Sequence, residues 1–86
     1  MKLIVCSIYD TKAKAYLRPF FVNATGQAIR SFSDIANDKE HDVGRHPEDY
    51  TLYRLGQFDD QNGELMPEAP ESLAQAITLI KDETNA

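Results

Sequence analysis

The sequence predicts an α+β fold: a four-stranded, largely antiparallel sheet with two helices on one face, in the order strand, strand, helix, strand, strand, helix. Three observations carry this. Residues 2–9 (KLIVCSIY) form an apolar, β-branched run, residues 28–36 carry a helical stripe, and residues 59–63 (DDQNG) contain an Asn-Gly hairpin step. With 86 residues and 42% hydrophobic content, the chain suffices for one small domain spanning 1–86 and for no second one.

Taken in order, Lys2 to Tyr9 is apolar on both alternating faces, as expected of a strand inside a sheet. Asp10 to Lys14 is a short polar connection. Ala15 to Val22 (AYLRPFFV) reads as a second strand, with Tyr16, Arg18, Phe20 and Val22 on one side and Leu17 and Phe21 on the other. Pro19 confines it to an edge, because proline has no N–H to give to a ladder. Ala28, Ile29, Phe32, Ile35 and Ala36 recur at three- and four-residue spacing and define the first helix. Residues 37–49 (NDKEHDVGRHPED) are polar, with Gly44 and Pro47 interrupting them, and read as a long exposed loop.

Tyr50 to Phe58 is the third strand, the Asn-Gly step turns the chain, and Glu64 to Met66 opens a short fourth strand. Pro67 and Pro70 bracket its exit. Ser72 and Gln75 have capping-box spacing, and Leu73, Ile77 and Ile80 share one face of the expected second helix. Residues 82–86 are expected to fray. Two helices on one face leave the other uncovered, and that face would present some of the second- and third-strand aromatics.

Most chemistry is excluded by what the motifs lack. The single cysteine, Cys6, cannot form an internal disulfide, and the N-terminus has no secretory signal pattern, so a reducing cytoplasm is expected. Cys6 lies within a strand and reads as a small buried hydrophobe. No G-x-S-x-G elbow and no phosphate-cradling glycine loop occurs, so the chain is expected not to be an enzyme. His41, Asp42, His46, Glu48 and Asp49 share one segment without compact zinc-ligand spacing and read as loop composition. Asp60 to Glu64 lacks the ligand set of a calcium loop. No metal or other cofactor is expected. Without a staple, stability comes from a small core or from a partner subunit, which makes a homodimer one expectation.

Binding remains. The net charge of −5 is unevenly distributed: residues 1–36 hold five cations and two acids, and residues 37–86 hold four cations and twelve acids. The basic part interleaves charge and rings. Lys12, Lys14 and Arg18 are suited to phosphates, and Tyr16 and Phe20 to stacked bases, which together is the chemistry of single-stranded nucleic-acid binding. The acidic part, with Asp59, Asp60 and Glu64 around the hairpin, suits a basic protein partner instead.

Five blocks carry a resemblance: MKLIVCSIYD at 1–10, RPFF at 18–21, GQAIRSFSD at 26–34, HPEDYTLYRLGQFD at 46–59 and the following Gly63. In combination they resemble the small nonstructural protein of gokushoviruses, single-stranded DNA bacteriophages of the Microviridae, over nearly the whole chain up to the last expected helix. That family is likened to the microviral C protein. The resemblance implies a nonenzymatic accessory protein of viral DNA replication or genome packaging in the host cytoplasm, in contact with single-stranded DNA, a replication initiator or a capsid component. It implies no catalytic residues.

Overall fold

The computed structural model describes residues 1–81. The chain runs through β1 (Lys2–Asp10), β2 (Ala15–Tyr16), β3 (Phe20–Val22), α1 (Thr25–Ala36), α2 (Asp42–Arg45), a 3-10 turn (Pro47–Asp49), β4 (Tyr50–Asp59), β5 (Glu64–Gln75) and a closing 3-10 turn (Ala76–Leu79). It is the α+β class the sequence predicts, an antiparallel sheet with two helices, with five strands in place of four.

β1 is central. It pairs antiparallel with β4 along its whole length and, on its other edge, with β2 and then β3. β5 pairs with β4 and closes the sheet on the far side. The apolar run at 2–10 takes this inner position because both of its faces are apolar and both of its edges find partners. Ile4, Cys6 and Ile8 point to the side covered by α1, where Cys6, Ile8, Ala28, Phe32, Ala36, Val43, Leu52 and Ala76 form the buried core. Phe32 and Leu52 are its largest fully buried side chains.

Three expectations are corrected. The second strand is broken: residues 17–19 leave the ladder at Pro19, so β2 and β3 are separate short strands, both on β1. The loop at 37–49 is not irregular throughout, since α2 and a 3-10 turn form within it. The His41 Nδ1 caps α2 by accepting from Val43 N at 3.1 Å. Gly44 does not break structure there. It is buried, and a Cβ on it would lie 1.8 Å from the Asp38 carbonyl oxygen, so the close approach of two backbone segments requires glycine.

The third correction concerns the C-terminal part. β5 continues through Pro67 and Pro70 to Gln75, and among the described residues only a 3-10 turn follows it, so the second helix is α2. The prolines fit because β5 is an edge strand, where proline is tolerated: Pro67 is registered against Gly56, and Pro70 falls in the slip of register between Pro67 and Glu71, without a partner on β4. Leu73 and Leu79 still pack against the core, while Ile77 and Ile80 are exposed. The expected fraying at 82–86 lies outside the described residues.

Candidate nucleic-acid interface

Among the described residues no helix lies over the sheet face opposite α1. Along β1 it carries Leu3, Val5, Ser7 and Tyr9, and the antiparallel register adds Tyr16 beside Tyr9, Tyr53 beside Ser7, Phe21 beside Val5 and Phe58 beside Leu3. The expectation that second- and third-strand aromatics would occupy this face therefore holds for Tyr16, Phe21, Tyr53 and Phe58.

Three tyrosines form one cluster. Ring centroids are 4.9 Å apart for Tyr9 and Tyr16, 5.7 Å for Tyr16 and Tyr53, and 6.3 Å for Tyr9 and Tyr53, all edge to face. This is the arrangement the ring quadrupole favours, with each positive edge against a negative face. Tyr16 is 41% exposed, so part of the cluster faces water. Beneath it, Ser7 is fully buried and its Oγ donates to the Leu17 carbonyl at 2.6 Å, which ties the 17–19 link to the sheet. Leu17 N donates to the Ile8 carbonyl at 2.8 Å for the same effect.

The cations border this cluster. Lys12 and Lys14 are exposed in the connection between β1 and β2, and Arg18 is exposed in the 17–19 link. Among the described residues the ion pairs are Met1 with Asp60, Arg45 with Asp42 and Arg54 with Glu68, so Lys12, Lys14 and Arg18 are in none of them. Arg54 is committed elsewhere. It faces the α1 side, donates through Nε to Glu68 at 3.0 Å, and by that hydrogen bond holds the Glu68 carboxyl below the usual carboxylate range.

The β1–β2 connection is built like the β4–β5 one. In each, an aspartate carboxylate accepts from the backbone two residues on: Asp10 from Lys12 N at 2.9 Å, Asp59 from Gln61 N at 2.9 Å. In each, the aspartate carbonyl accepts at 2.8 Å from a residue in the left-handed region, which is Gly63 (φ 77°) in one and Lys14 (φ 56°) in the other. The site thus places a lysine where its structural counterpart is glycine.

Phe20 is not part of this arrangement. It pairs with Cys6 and packs against the core on the α1 side, because the break at 17–19 reverses the alternation expected for a continuous strand. Phe21, 49% exposed, takes the open face and meets Phe58 at 5.4 Å between ring centroids. Tyr16 is brought together with Tyr9 and Tyr53, while Lys12, Lys14 and Arg18 stand exposed in the two segments that flank Tyr16. Tyr53 is legible only once β4 is registered against β1.

The acidic residues Asp59, Asp60 and Glu64 lie at the other end of β1. The eight steps of β1 from Lys2 to Asp10, at roughly 3.3 Å each, separate them from the lysine turn by about 26 Å. Asp59 and Glu64 oppose each other across the ladder, and Asp60 accepts from the N-terminal ammonium at 2.9 Å. In the 41–49 segment, ligand atoms of His46, Glu48 and Asp49 come within 4.8 Å of one another, Asp42 pairs with Arg45, and His41 is used as a cap. No helix among the described residues is long and apolar enough to cross a membrane.

Comparison with known proteins gives a family. The family model described as Phage ORF5 protein matches residues 3–79. Protein ORF5 of Chlamydia phage 1 is 35% identical over 71 residues, covering 78% of this chain and 74% of the relative. No solved structure matches.

Proposed function

The chain belongs to the phage ORF5 protein family, and from that premise we propose that it is a nonenzymatic accessory protein of viral DNA replication or genome packaging, acting in the host cytoplasm by binding single-stranded DNA on its open sheet face. One observation carries this reading: a partly exposed tyrosine cluster, Tyr9, Tyr16 and Tyr53, bordered by three cations outside any described ion pair, Lys12, Lys14 and Arg18. Rings accept bases of any identity, and cations track the phosphates without reading sequence. The net charge of −5 speaks against affinity built on many phosphate contacts, so stacking contributes most of the binding.

Measuring the affinity of a labelled oligothymidylate across salt concentrations tests it. Contact through three cations predicts a log–log slope of roughly −2. Tyr16→Ala lowers affinity by about tenfold with the slope unchanged, since one stacked base is worth about 1–3 kcal/mol. Absence of binding at low salt refutes the reading.

A second reading is engagement of a basic protein, such as a replication initiator or capsid component, by the β4–β5 hairpin. It is favoured by the direct opposition of Asp59 and Glu64, a like-charge pair that a bound cation would relieve. Capture of phage proteins by the native chain and by Asp59→Asn/Glu64→Gln compares the two. Identical partners for both would count against this surface.

A further inference from the structure

The open face does not end at the tyrosines. Further along β1 the row Phe21, Val5, Gly56, Pro67 crosses the sheet, and the next row holds Leu3, Phe58 and Leu65. Gly56 has no side chain to fill its place in that row. A Cβ there would lie 2.4 Å from the Met66 carbonyl oxygen, so the backbones approach too closely for any other residue. The result is a shallow recess of about 430 Å³ in these same two rows, lined by Val5 and, on β4 and β5, by Leu55, Gly56, Leu65, Met66 and Pro67, across β1 from Phe21. Its volume falls within the range of ligand pockets, about 300–1,000 Å³.

We infer that single-stranded DNA lies along β1 over both aromatic stations, stacking first on the tyrosines and again on Phe21 and Phe58, with the recess alongside the second station. This rests on the proposed DNA reading and extends it. Charge and ring chemistry together name the occupant: cations border the tyrosine end, rings recur at the far end, and Phe21 is 49% exposed. From the Tyr9–Tyr16 row the second station lies four to six residues along β1, at Val5 or Leu3, about 13–20 Å at the strand rise, and from the Tyr53 row, at Ser7, two to four residues, about 7–13 Å. Three nucleotides stacked at about 3.4 Å per step span about 7 Å, so a strand of that length seated on Tyr9 and Tyr16 ends short of Phe21 and Phe58. Beyond Phe58 stand Asp59, Asp60 and Glu64, which repel phosphate and set the end of the track.

Lys2, beside Leu3, alternates onto the α1 side with Ile4, so the second station adds stacking without adding a cation on the open face, and this gives it a distinct signature. Gains made there leave the salt slope where the first station sets it, because only phosphate neutralisation releases counterions.

The test compares labelled dT3 and dT8 on the native chain, Phe21→Ala and Tyr16→Ala by fluorescence anisotropy. Phe58→Leu serves as a second variant that preserves an apolar side chain in the sheet. The expected result is that Phe21→Ala and Phe58→Leu each weaken dT8 severalfold to tenfold, leave dT3 unchanged, and leave the slope for dT8 unchanged. Loss of dT8 affinity only in Tyr16→Ala overturns the second station and leaves the DNA reading standing. If neither oligonucleotide binds the native chain at low salt, both fall together.

Discussion

Lys14 occupies a backbone conformation that suits glycine. At φ 56° its Cβ crowds the adjoining carbonyl, a strain worth about 1–2 kcal/mol for an ordinary residue, and the matching position of the other hairpin, Gly63, avoids it. A local rule broken in one of two equivalent turns points to a side chain wanted for something other than stability. Lys14→Gly is therefore expected to move stability and binding in opposite directions. Relief of strain, less the greater freedom of glycine in the unfolded chain, leaves a gain of roughly 0.5–1 kcal/mol, a few degrees in Tm for a domain of this size. The same change removes one phosphate contact and brings the salt slope from roughly −2 to about −1.4. Lys14→Ala separates the two effects, since it loses the charge and keeps the strain. Thermal unfolding and oligonucleotide titration of both variants check this, and equal DNA affinity of all three proteins would remove Lys14 from the site. Cys6 shows the opposite relation between residue and environment: burial pushes its thiol up, against the pull of Arg54, and it is left as core.

β5 is the element whose behaviour departs furthest from local pattern. Its 12 residues form a free sheet edge, and such an edge invites pairing with another chain. Pro67 and Pro70 remove two donors from it, and Glu68 and Glu71 add like charge. Replacing both prolines by threonine restores the donors on a strand already exposed along most of its length. The expected outcome is association that rises with concentration, read as an increase in weight-average mass by light scattering; a mass as independent of concentration as before the change would show that the charges alone protect the edge. The same prolines explain what was illegible in the sequence. β1, α1 and the hairpin were legible because periodicity of two, periodicity of 3.6 and an Asn-Gly step are local signals. The span 64–75 was not, because Leu73, Ile77 and Ile80 fit a helical stripe and proline argues against a strand unless the strand is known to be an edge. That knowledge comes only from the sheet order. α2 was hidden for a related reason: Gly44 signals a break in the sequence, and only the Asp38 carbonyl packed against it shows that it is a close-packing position. In the candidate site, Lys12, Lys14, Tyr16 and Arg18 were legible from interleaved charge and rings. Phe20 and Phe21 exchanged faces because a single irregular link at Pro19 shifts every later side chain by one.

At the scale of the whole molecule, the basic first part and acidic second part of the sequence do not become two separate sides. β4 lies beside β1, so acids of the second part stand at both ends of the sheet. At one end are Asp59, Asp60 and Glu64. At the other, the Asp49 carbonyl accepts from Thr11 N at 2.9 Å, directly beside the lysine turn, and the carboxylates of Asp10, Asp42 and Asp49 add to burial in pushing the Tyr50 phenol up. Distance then decides which acids oppose DNA. The Debye length is about 10 Å at 0.1 M salt and about 30 Å at 0.01 M, while the hairpin acids lie about 26 Å from the lysines along β1. Neutralising the hairpin in Asp59→Asn/Glu64→Gln, where Asn preserves the acceptor for Gln61 N, should strengthen binding of a short oligonucleotide at 0.01 M and leave it unchanged at 0.1 M. Asp49→Asn, by contrast, removes a charge next to the lysine turn and should strengthen binding at both, by up to about twofold at 0.01 M, the scale of a unit charge acting through water over about 10 Å, and by less at 0.1 M, where that distance equals the Debye length. Titrating dT3, which reaches only the tyrosine end, at the two salt concentrations distinguishes these effects. A hairpin variant that changes dT3 affinity at 0.1 M as strongly as Asp49→Asn would place the phosphates at the acidic end of the sheet, and the DNA would then have to lie elsewhere than beside Lys12, Lys14 and Arg18.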